Sequence, residues 1–431
     1  MMNIEELYKI YLENPNITTD SRNCPPNSIF FGIKGERFDG TKFGDAALQN
    51  GAAYAVTEGD TLKTLQDLAN YHMKQMKAKG LKVIGITGTN GKTTTKELVS
   101  AVLQKKYNVL YTQGNFNNHL GVPLTILRIR DEHEIAVIEM GANHPGEIRD
   151  LVNIAEPSWG LITSVGRAHL EGFGSFEGVI KTKGELYDYL RAHGGKVFLN
   201  QENEYLVPIA EGMEQIPYVT GGVIDNAECR MQNAESNTAQ PNSASSILHS
   251  ALVKFHYSVS PDATEYVQTQ LIGNYNIVNL LAAVTVGNYF GVSCEDINAA
   301  LSEYAPTNNR SQLMKTEKNT LIVDAYNANP TSMAAALDNF HTIHSEQEKM
   351  VILGGMGELG PGSDEEHQKI REKIQEIGIK HVWLVGKQWG KYDFETVDDV
   401  IAHLQSEPLE NKLILVKGSN SQKLFKLPEH L

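Results

Sequence analysis

The stretch Lys82-Val83-Ile84-Gly85-Ile86-Thr87-Gly88-Thr89-Asn90-Gly91-Lys92-Thr93-Thr94 decides the fold. Its first half is an apolar run of the kind that forms a buried strand in a parallel sheet. Its second half is rich in glycine and ends in Gly-Lys-Thr-Thr, where a helix is expected to open at Thr93. Between such a strand and helix, successive backbone N–H groups can surround phosphate oxygens. Glycine allows the close approach and positive φ that this cradle needs. Lys92 supplies a mobile cation for terminal phosphates, and the Thr93 hydroxyl can face a magnesium ion that keeps most of its own water. The spacing departs from the common P-loop, which places glycine five residues before the Gly-Lys pair. Ile86 stands there, while glycines fall at 85, 88 and 91.

Outward from this stretch, strands and helices alternate, which indicates a parallel α/β sheet. Strands are expected at Lys82–Ile86, Ile135–Glu139, Gly160–Val165 and Lys196–Leu199, with helices at Thr93–Lys106, Gly146–Asn153, Phe176–Ala192 and Asn276–Tyr289. Before it, short strand-like runs at 28–33 and 53–56 precede a helix at about 62–79, and the Lys- and Gly-containing connection at 77–80 marks a boundary. After it, the polar segment 226–246 reads as an exposed excursion between weak strands, and Pro306-Thr307-Asn308-Asn309 as a second link. A further alternation follows, with strands at 320–324, 350–354, 381–385 and 412–417 and helices after Pro330 and from about Asp364. The expected organisation is therefore three α/β domains, 1–79, 80–306 and 307–431, the second a P-loop-type parallel sheet and the third Rossmann-like.

A chain of 431 residues is long enough for several cores. No run approaches the length of a membrane span, and the acidic start Met1-Met2-Asn3-Ile4-Glu5-Glu6 does not read as a secretory signal. Cys24, Cys229 and Cys294 read as reduced thiols of a cytoplasmic protein. A net charge of −14 disfavours nucleic acid as a partner, but not phosphorylated small molecules held by local backbone amides.

The loop 87–94 resembles the ATP-binding loop of the Mur ligase family, enzymes that build the peptidoglycan precursor. Other segments are similar in order along nearly the whole chain: Thr19-Asp20-Ser21-Arg22, 35–40, Gly114-Asn115-Phe116-Asn117-Asn118-His119-Leu120-Gly121-Val122-Pro123, 139–147, 168–175 and Asp324-Ala325-Tyr326-Asn327-Ala328-Asn329-Pro330. The third, fourth, fifth and sixth of these resemble the branch that adds D-alanyl-D-alanine to UDP-N-acetylmuramoyl-tripeptide. The resemblance implies ATP and Mg²⁺ as cofactors, a first domain that binds the UDP substrate, and a third that takes dipeptide and nucleotide. It implies a cytoplasmic enzyme without membrane insertion, and a monomer is expected. The motif written Leu353-Gly354-Gly355-Met356-Gly357-Glu358-Leu359-Gly360 lacks an acid usual at Gly355, and Tyr275 and Asn420 also depart from the family pattern.

Forming an amide from a carboxylate in water needs activation, here as an acyl-phosphate, and transition-state charge calls for cations and metal. Gly88, Thr89, Asn90, Gly91, Lys92, Thr93 and Thr94 are the expected phosphate cradle. Glu139 ends an apolar strand, where a carboxylate suits a hard cation as readily as a solvated loop. The resemblance makes Thr93, Glu139 and His169 metal ligands, although histidine is not magnesium's preferred ligand. It makes Lys183 a lysine that CO₂ converts to a carbamate, with Lys92, His169 and Lys183 as the catalytic set. Asn276 and Asn279 share a helix face and either contact nucleotide, with Arg310 and Asp324, or simply cap and turn the chain. Ser21, Arg22, Asn118, His119, Asn327 and Asn329 complete the expected substrate contacts, and the remaining histidines read as surface residues. Rival readings are another amide ligase of the same fold, a nucleotide switch or kinase, and a catalytically silent binding module. No Asp-Asn-Pro-Arg motif of the ligase adding the third amino acid is present.

Overall fold

The computed structural model describes residues 3–35, 38–218, 252–260, 263–306 and 310–431. The polar excursion at 226–246, Cys229 and most of the link 306–309 lie outside the described residues. β1 (Asn16–Thr18), β2 (Ser28–Phe31) and β3 (Ala52–Val56) form a small parallel sheet in that order. The central sheet has β4 (Lys82–Thr87), β5 (Val109–Tyr111), β6 (Ile135–Glu139), β7 (Trp159–Ile162), β8 (Lys196–Asn200) and β9 (Glu214–Tyr218). They lie in the order β5-β6-β4-β7-β8-β9, all parallel.

After a hairpin of β10 (Leu252–Ser260) and β11 (Ala263–Ile272) comes the last sheet. It comprises β12 (Gln312–Lys315), β13 (Thr320–Asp324), β14 (Glu348–Gly354), β15 (His381–Val385) and β16 (Lys412–Lys417), ordered β12-β13-β16-β14-β15. Only β12 runs antiparallel there.

The two-residue period of β6 explains how the central sheet is covered. Ala136 and Ile138 enter one apolar cluster, while Ile135 and Val137 enter the other. Helices Glu147–Ala155 and Phe176–Ala192 close the first face, and helices Lys92–Gln104, Ile277–Tyr289 and Cys294–Glu303 the second. A strand buried on both faces cannot alternate polar and apolar residues, which is why Lys82–Thr87 reads as one apolar run. β4 is also the first strand of this sheet in chain order and lies at a switch point: β5 and β6 are laid on one side of it and β7 on the other. A crevice opens beyond the carboxyl ends of strands at such a point, and the 88–91 loop lies in it.

Two expectations need correction. The strand expected at Gly160–Val165 stops at Ile162. Thr163 and Ser164 instead follow the phosphate loop: the Thr163 N–H donates to the Thr87 carbonyl at 2.9 Å, the Ser164 carbonyl accepts from the Thr89 N–H at 2.8 Å, and both hydroxyls donate to the Asn90 carbonyl, at 2.6 and 3.1 Å. Nor are all the remaining histidines on the surface. His72 and His367 are buried, the latter accepting from the Met356 N–H at 3.0 Å.

His72 sits where helix Thr61–Ala78 meets the 127–130 segment of the central unit. The first sheet and the central one share a continuous apolar cluster, with Leu7, Tyr11, Ile29 and Leu65 packed together with Ile126, Ile148 and Leu151. Within this junction the Tyr8 hydroxyl lies 3.1 Å from His72 Nδ1, and the Ile129 carbonyl 3.1 Å from Nε2. Burial pushes the imidazole down from 6.5 to about 4, against the pull of the Ile129 carbonyl. The folded protein thus keeps His72 neutral where the unfolded chain takes up a proton, so stability falls as pH drops through that window. Thermal melting followed between pH 7.5 and 4.5 is expected to show this loss, and His72→Phe a shallower dependence. Equal slopes for the two proteins would assign the effect to other groups.

Candidate functional site

Gly88 and Gly91 have φ of 144° and 82°, and neither position tolerates a side chain. A Cβ at Gly88 would meet Thr163 Oγ1 at 2.1 Å, and one at Gly91 would meet Asn279 Oδ1 at 2.6 Å. The loop is therefore clamped between β7's end and helix Ile277–Tyr289. Gly91 caps the helix Lys92–Gln104, which begins one residue before the expected Thr93. Lys92 Nζ donates to the Gly88 and Thr89 carbonyls at 2.8 and 3.1 Å. Burial brings its ammonium down to about 8, with Glu139 opposing the drop and Arg310 adding to it. A cation held so cheaply by two carbonyls is ready to be recruited by a phosphate.

Glu139 is fully buried at the end of β6. Thr93 Oγ1 donates to its Oε1 at 3.1 Å, and Asn117 Nδ2 to the same oxygen at 2.8 Å. The other oxygen, Oε2, has no hydrogen-bond partner among the described residues, and its nearest cation is Lys96 Nζ at 4.0 Å. A buried carboxylate oxygen without a donor beside a threonine hydroxyl is a donor set that fits a hard divalent cation. No group of three or more His, Cys, Asp or Glu side chains that could hold a metal occurs among the described residues. Magnesium takes one or two protein oxygens and completes its shell with water and phosphate.

His169 has a left-handed backbone, φ 52°, and its Nδ1 pairs with Glu358 of the last unit. The imidazole holds the Glu358 carboxyl below the usual range, against its partial burial. Lys183 is buried on helix Phe176–Ala192, with Nζ 3.3 Å from the Ala142 carbonyl and 5.1 Å from the centre of the Phe173 ring. Burial, followed by the Lys92 charge, pushes this amine well below the ordinary lysine range.

The last sheet brings its own residues to the loop. Asn329 caps helix Pro330–Thr342 through Oδ1, and its Nδ2 donates to Asn90 Oδ1 at 2.8 Å. Asp324 accepts from the buried Lys417 Nζ at 2.5 Å. The Arg310 guanidinium lies 3.8 Å from the centre of the Tyr326 ring, and its Nε is buried without a hydrogen-bond partner among the described residues.

A single cavity of about 1170 Å³ joins these parts. It takes in residues 89–94, Glu139, His169, Asn276, Asn279, Arg310, Asp324, Asn327 and Asn329, and Asn118 and His119 on the side of helix Thr61–Ala78. Some of these are already engaged within the protein. Asn118 Oδ1 accepts from the Leu120 and Gly121 N–H groups at the start of helix Gly121–Ile126. Asn279 bonds to Asn276 at 2.9 Å and to Thr95 at 3.0 Å.

Gly88, Lys183, Ser21 and Arg22 do not line the cavity. Arg22 is exposed and turned back on Asp20 at 2.9 Å, since a short Asx turn offers the nearest carboxylate. Sequence reasoning missed Asn117, Lys96, Thr163 and Glu358 as partners of site residues. Lys96 carried a signal, standing three residues after Thr93 on the same helix face. The others become neighbours only through the sheet and the packing of the last unit.

Family models match three successive segments: the Mur ligase family, catalytic domain over 15–92, the Mur ligase middle domain over 86–287, and the Mur ligase, glutamate ligase domain over 309–420. The UDP-N-acetylmuramoyl-tripeptide–D-alanyl-D-alanine ligase of Bacillus subtilis is 32% identical, the match covering 100% of this chain and 97% of the relative. The enzyme of the same name from Escherichia coli is 32% identical over 94% of this chain and 91% of its own. Among solved structures, MurF from Acinetobacter baumannii superposes with a TM-score of 0.81 at 30% identity, covering 96% and 92% of the two chains. MurF from Thermotoga maritima in complex with ADP shares the fold, with a TM-score of 0.80 at 23% identity over 97% of each chain. The chain belongs to the Mur ligase family.

Proposed function

We propose that the protein joins D-alanyl-D-alanine to UDP-N-acetylmuramoyl-tripeptide, using ATP and forming the pentapeptide precursor of peptidoglycan, ADP and phosphate. The observation that carries this reading is the single cavity, walled by helix Thr61–Ala78 on one side, the phosphate loop in the middle and the last sheet on the other. Three substrates need one such enclosure, and relatives at 32% identity over nearly their whole length bear that activity in their names. Segments 1–79, 80–306 and 307–431 serve as the UDP-substrate, ATP and dipeptide domains. One chain supplies every wall, which favours a monomer. The nucleotide-linked substrate favours the cytoplasm; no helix among the described residues is long and apolar enough to cross a membrane.

In the first step a carboxylate oxygen of the tripeptide attacks the γ-phosphorus, the β–γ bridging P–O bond breaks, and ADP leaves. In the second the dipeptide amine attacks the acyl carbon, the C–N bond forms, phosphate departs and the amine gives up a proton. Residues 88–94 orient the triphosphate, and Lys92 moves from its loop carbonyls to the terminal phosphate. Thr93 and Glu139 would hold magnesium, which supplies charge stabilisation for the transferring phosphoryl group when bound. His169, whose Nδ1 is taken by Glu358, has its other ring nitrogen for the second metal that the family resemblance implies. Arg310 offers its unpartnered Nε to phosphate, with Asn276, Asn279 and Asp324 towards the nucleoside. Ser21 and Arg22 serve the UDP moiety, and Asn118, His119, Asn327 and Asn329 the peptide substrates.

Lys183 is suited to carbamate formation, because only the neutral amine adds to CO₂, and burial, followed by the Lys92 charge, favours the neutral form over the ordinary ammonium. The N–C bond forms as one C=O π bond of CO₂ opens onto oxygen, the nitrogen gives up one proton, and the neutral amine becomes an anion.

Phosphate release from ATP is expected to require both UDP-N-acetylmuramoyl-tripeptide and D-alanyl-D-alanine, with the pentapeptide identified by mass. Equal release without the dipeptide would remove the assignment. Lys183→Ala is expected to lose activity by roughly 10²-fold or more, the scale of a lost electrostatic group. Short carboxylic acids should restore part of it, and full activity in the plain variant would sink the carbamate.

A further inference from the structure

We propose that Lys96 is the resident counter-ion of Glu139, a positioning residue that holds the carboxylate before metal binds and weakens its hold on a bare divalent cation. The metal then enters with the nucleotide instead of ahead of it. The inference rests on Thr93 and Glu139 being the magnesium ligands.

Thr93 and Lys96 lie on one face of helix Lys92–Gln104, three residues apart, and bracket the two oxygens of Glu139. Thr93 donates to Oε1 at 3.1 Å, and Lys96 Nζ stands 4.0 Å from Oε2. Both charged side chains are only 1% exposed. Lys96 is anchored by the Thr112 carbonyl at 2.7 Å and lies 5.6 Å from the centre of the Tyr111 ring. The Thr112 hydroxyl accepts from the Glu139 N–H at 2.9 Å, so one residue ties the lysine and the carboxylate together. Glu97 Oε1 also accepts from Lys96 Nζ at 3.5 Å, so the ammonium is shared between Glu139 and this more exposed carboxylate, whose second oxygen is taken by the Tyr304 hydroxyl at 2.5 Å.

Burying an ammonium is costly without an anion beside it. Oε2 of Glu139 is the one oxygen here with no hydrogen bond of its own among the described residues, and the cation faces it. A free dication approaching this pair meets a carboxylate whose charge is already offset. The triphosphate brings the negative charge that the protein withholds. A lysine whose charge were offset by Glu97 alone would leave metal affinity nearly untouched.

The test uses Mn²⁺ as probe, with free Mn²⁺ read by electron paramagnetic resonance in the absence of nucleotide. Lys96→Met is expected to bind Mn²⁺ at least ~10-fold more tightly than wild type, since a unit charge a few ångströms away is removed from a poorly screened site. Unchanged or weaker binding in folded Lys96→Met overturns the inference. Should that variant fail to fold, Lys96→Met/Glu139→Gln must fold, because both fully buried charges leave together and the more exposed Glu97 keeps the Tyr304 hydroxyl. It must also melt above Glu139→Gln, which strands the lysine. A double variant no more stable than Glu139→Gln overturns the pairing. Glu139→Gln separates the two readings as well. If it binds Mn²⁺·ADP as wild type does, the ligand assignment itself falls. If it loses that binding while Lys96→Met leaves Mn²⁺ affinity unchanged, only the counter-ion falls.

Discussion

A carboxylate removed from water must be held by donors or by a cation, and Glu139 is held by both. The groups that hold it come from different parts of the chain: Thr93 and Lys96 from the helix after β4, Asn117 from the loop after β5, and Thr112 from the end of β5's segment. None of these could meet unless β5, β6 and β4 lay side by side in that order. The order of the central sheet and the geometry of the phosphate loop are thus linked through one side chain. The loop is pinned from its other side as well, by the hydroxyls of Thr163 and Ser164 at the end of β7. A rigid cradle follows from strands fixed on both flanks.

The units on either side of this sheet are attached in different ways. The first shares an apolar cluster with the central unit, and Tyr11 reaches across to the Leu127 carbonyl at 2.9 Å. Such a junction moves only by opening a core. The last unit meets the loop through polar contacts, Asn329 with Asn90 and Glu358 with His169. It also packs Ile272 and Leu252 of the β10–β11 hairpin into its own apolar cluster, so that junction combines a small apolar contact with polar bonds made directly to the loop and to His169.

The family's departures have local accommodations. At Gly355, a Cβ would meet the side chain of Gln388 at 2.7 Å, so an acidic residue there would require that glutamine to move. Tyr275 bonds to Ser311 at 2.6 Å and lines the cavity, as does Asn420.

The chain's periodicity determined most of the architecture. β6, β13 and β15 and the helix Phe176–Ala192 coincide with their expected bounds, because buried parallel strands and long amphipathic helices carry strong local patterns. The short strands β5, β9 and β12 carried no such pattern. Their pairing is imposed by neighbours, as Val109 is placed by Ile135 and Gln312 by Val323. The residue types of the loop likewise declared a phosphate site. Only the tertiary structure decided that Glu139 would be buried with one oxygen unclaimed, that Lys96 would face it, and that Ser21 and Arg22 would lie away from the cavity. Those outcomes depend on which side chains converge after the sheet is ordered. Convergence through space leaves no spacing in the chain to be read.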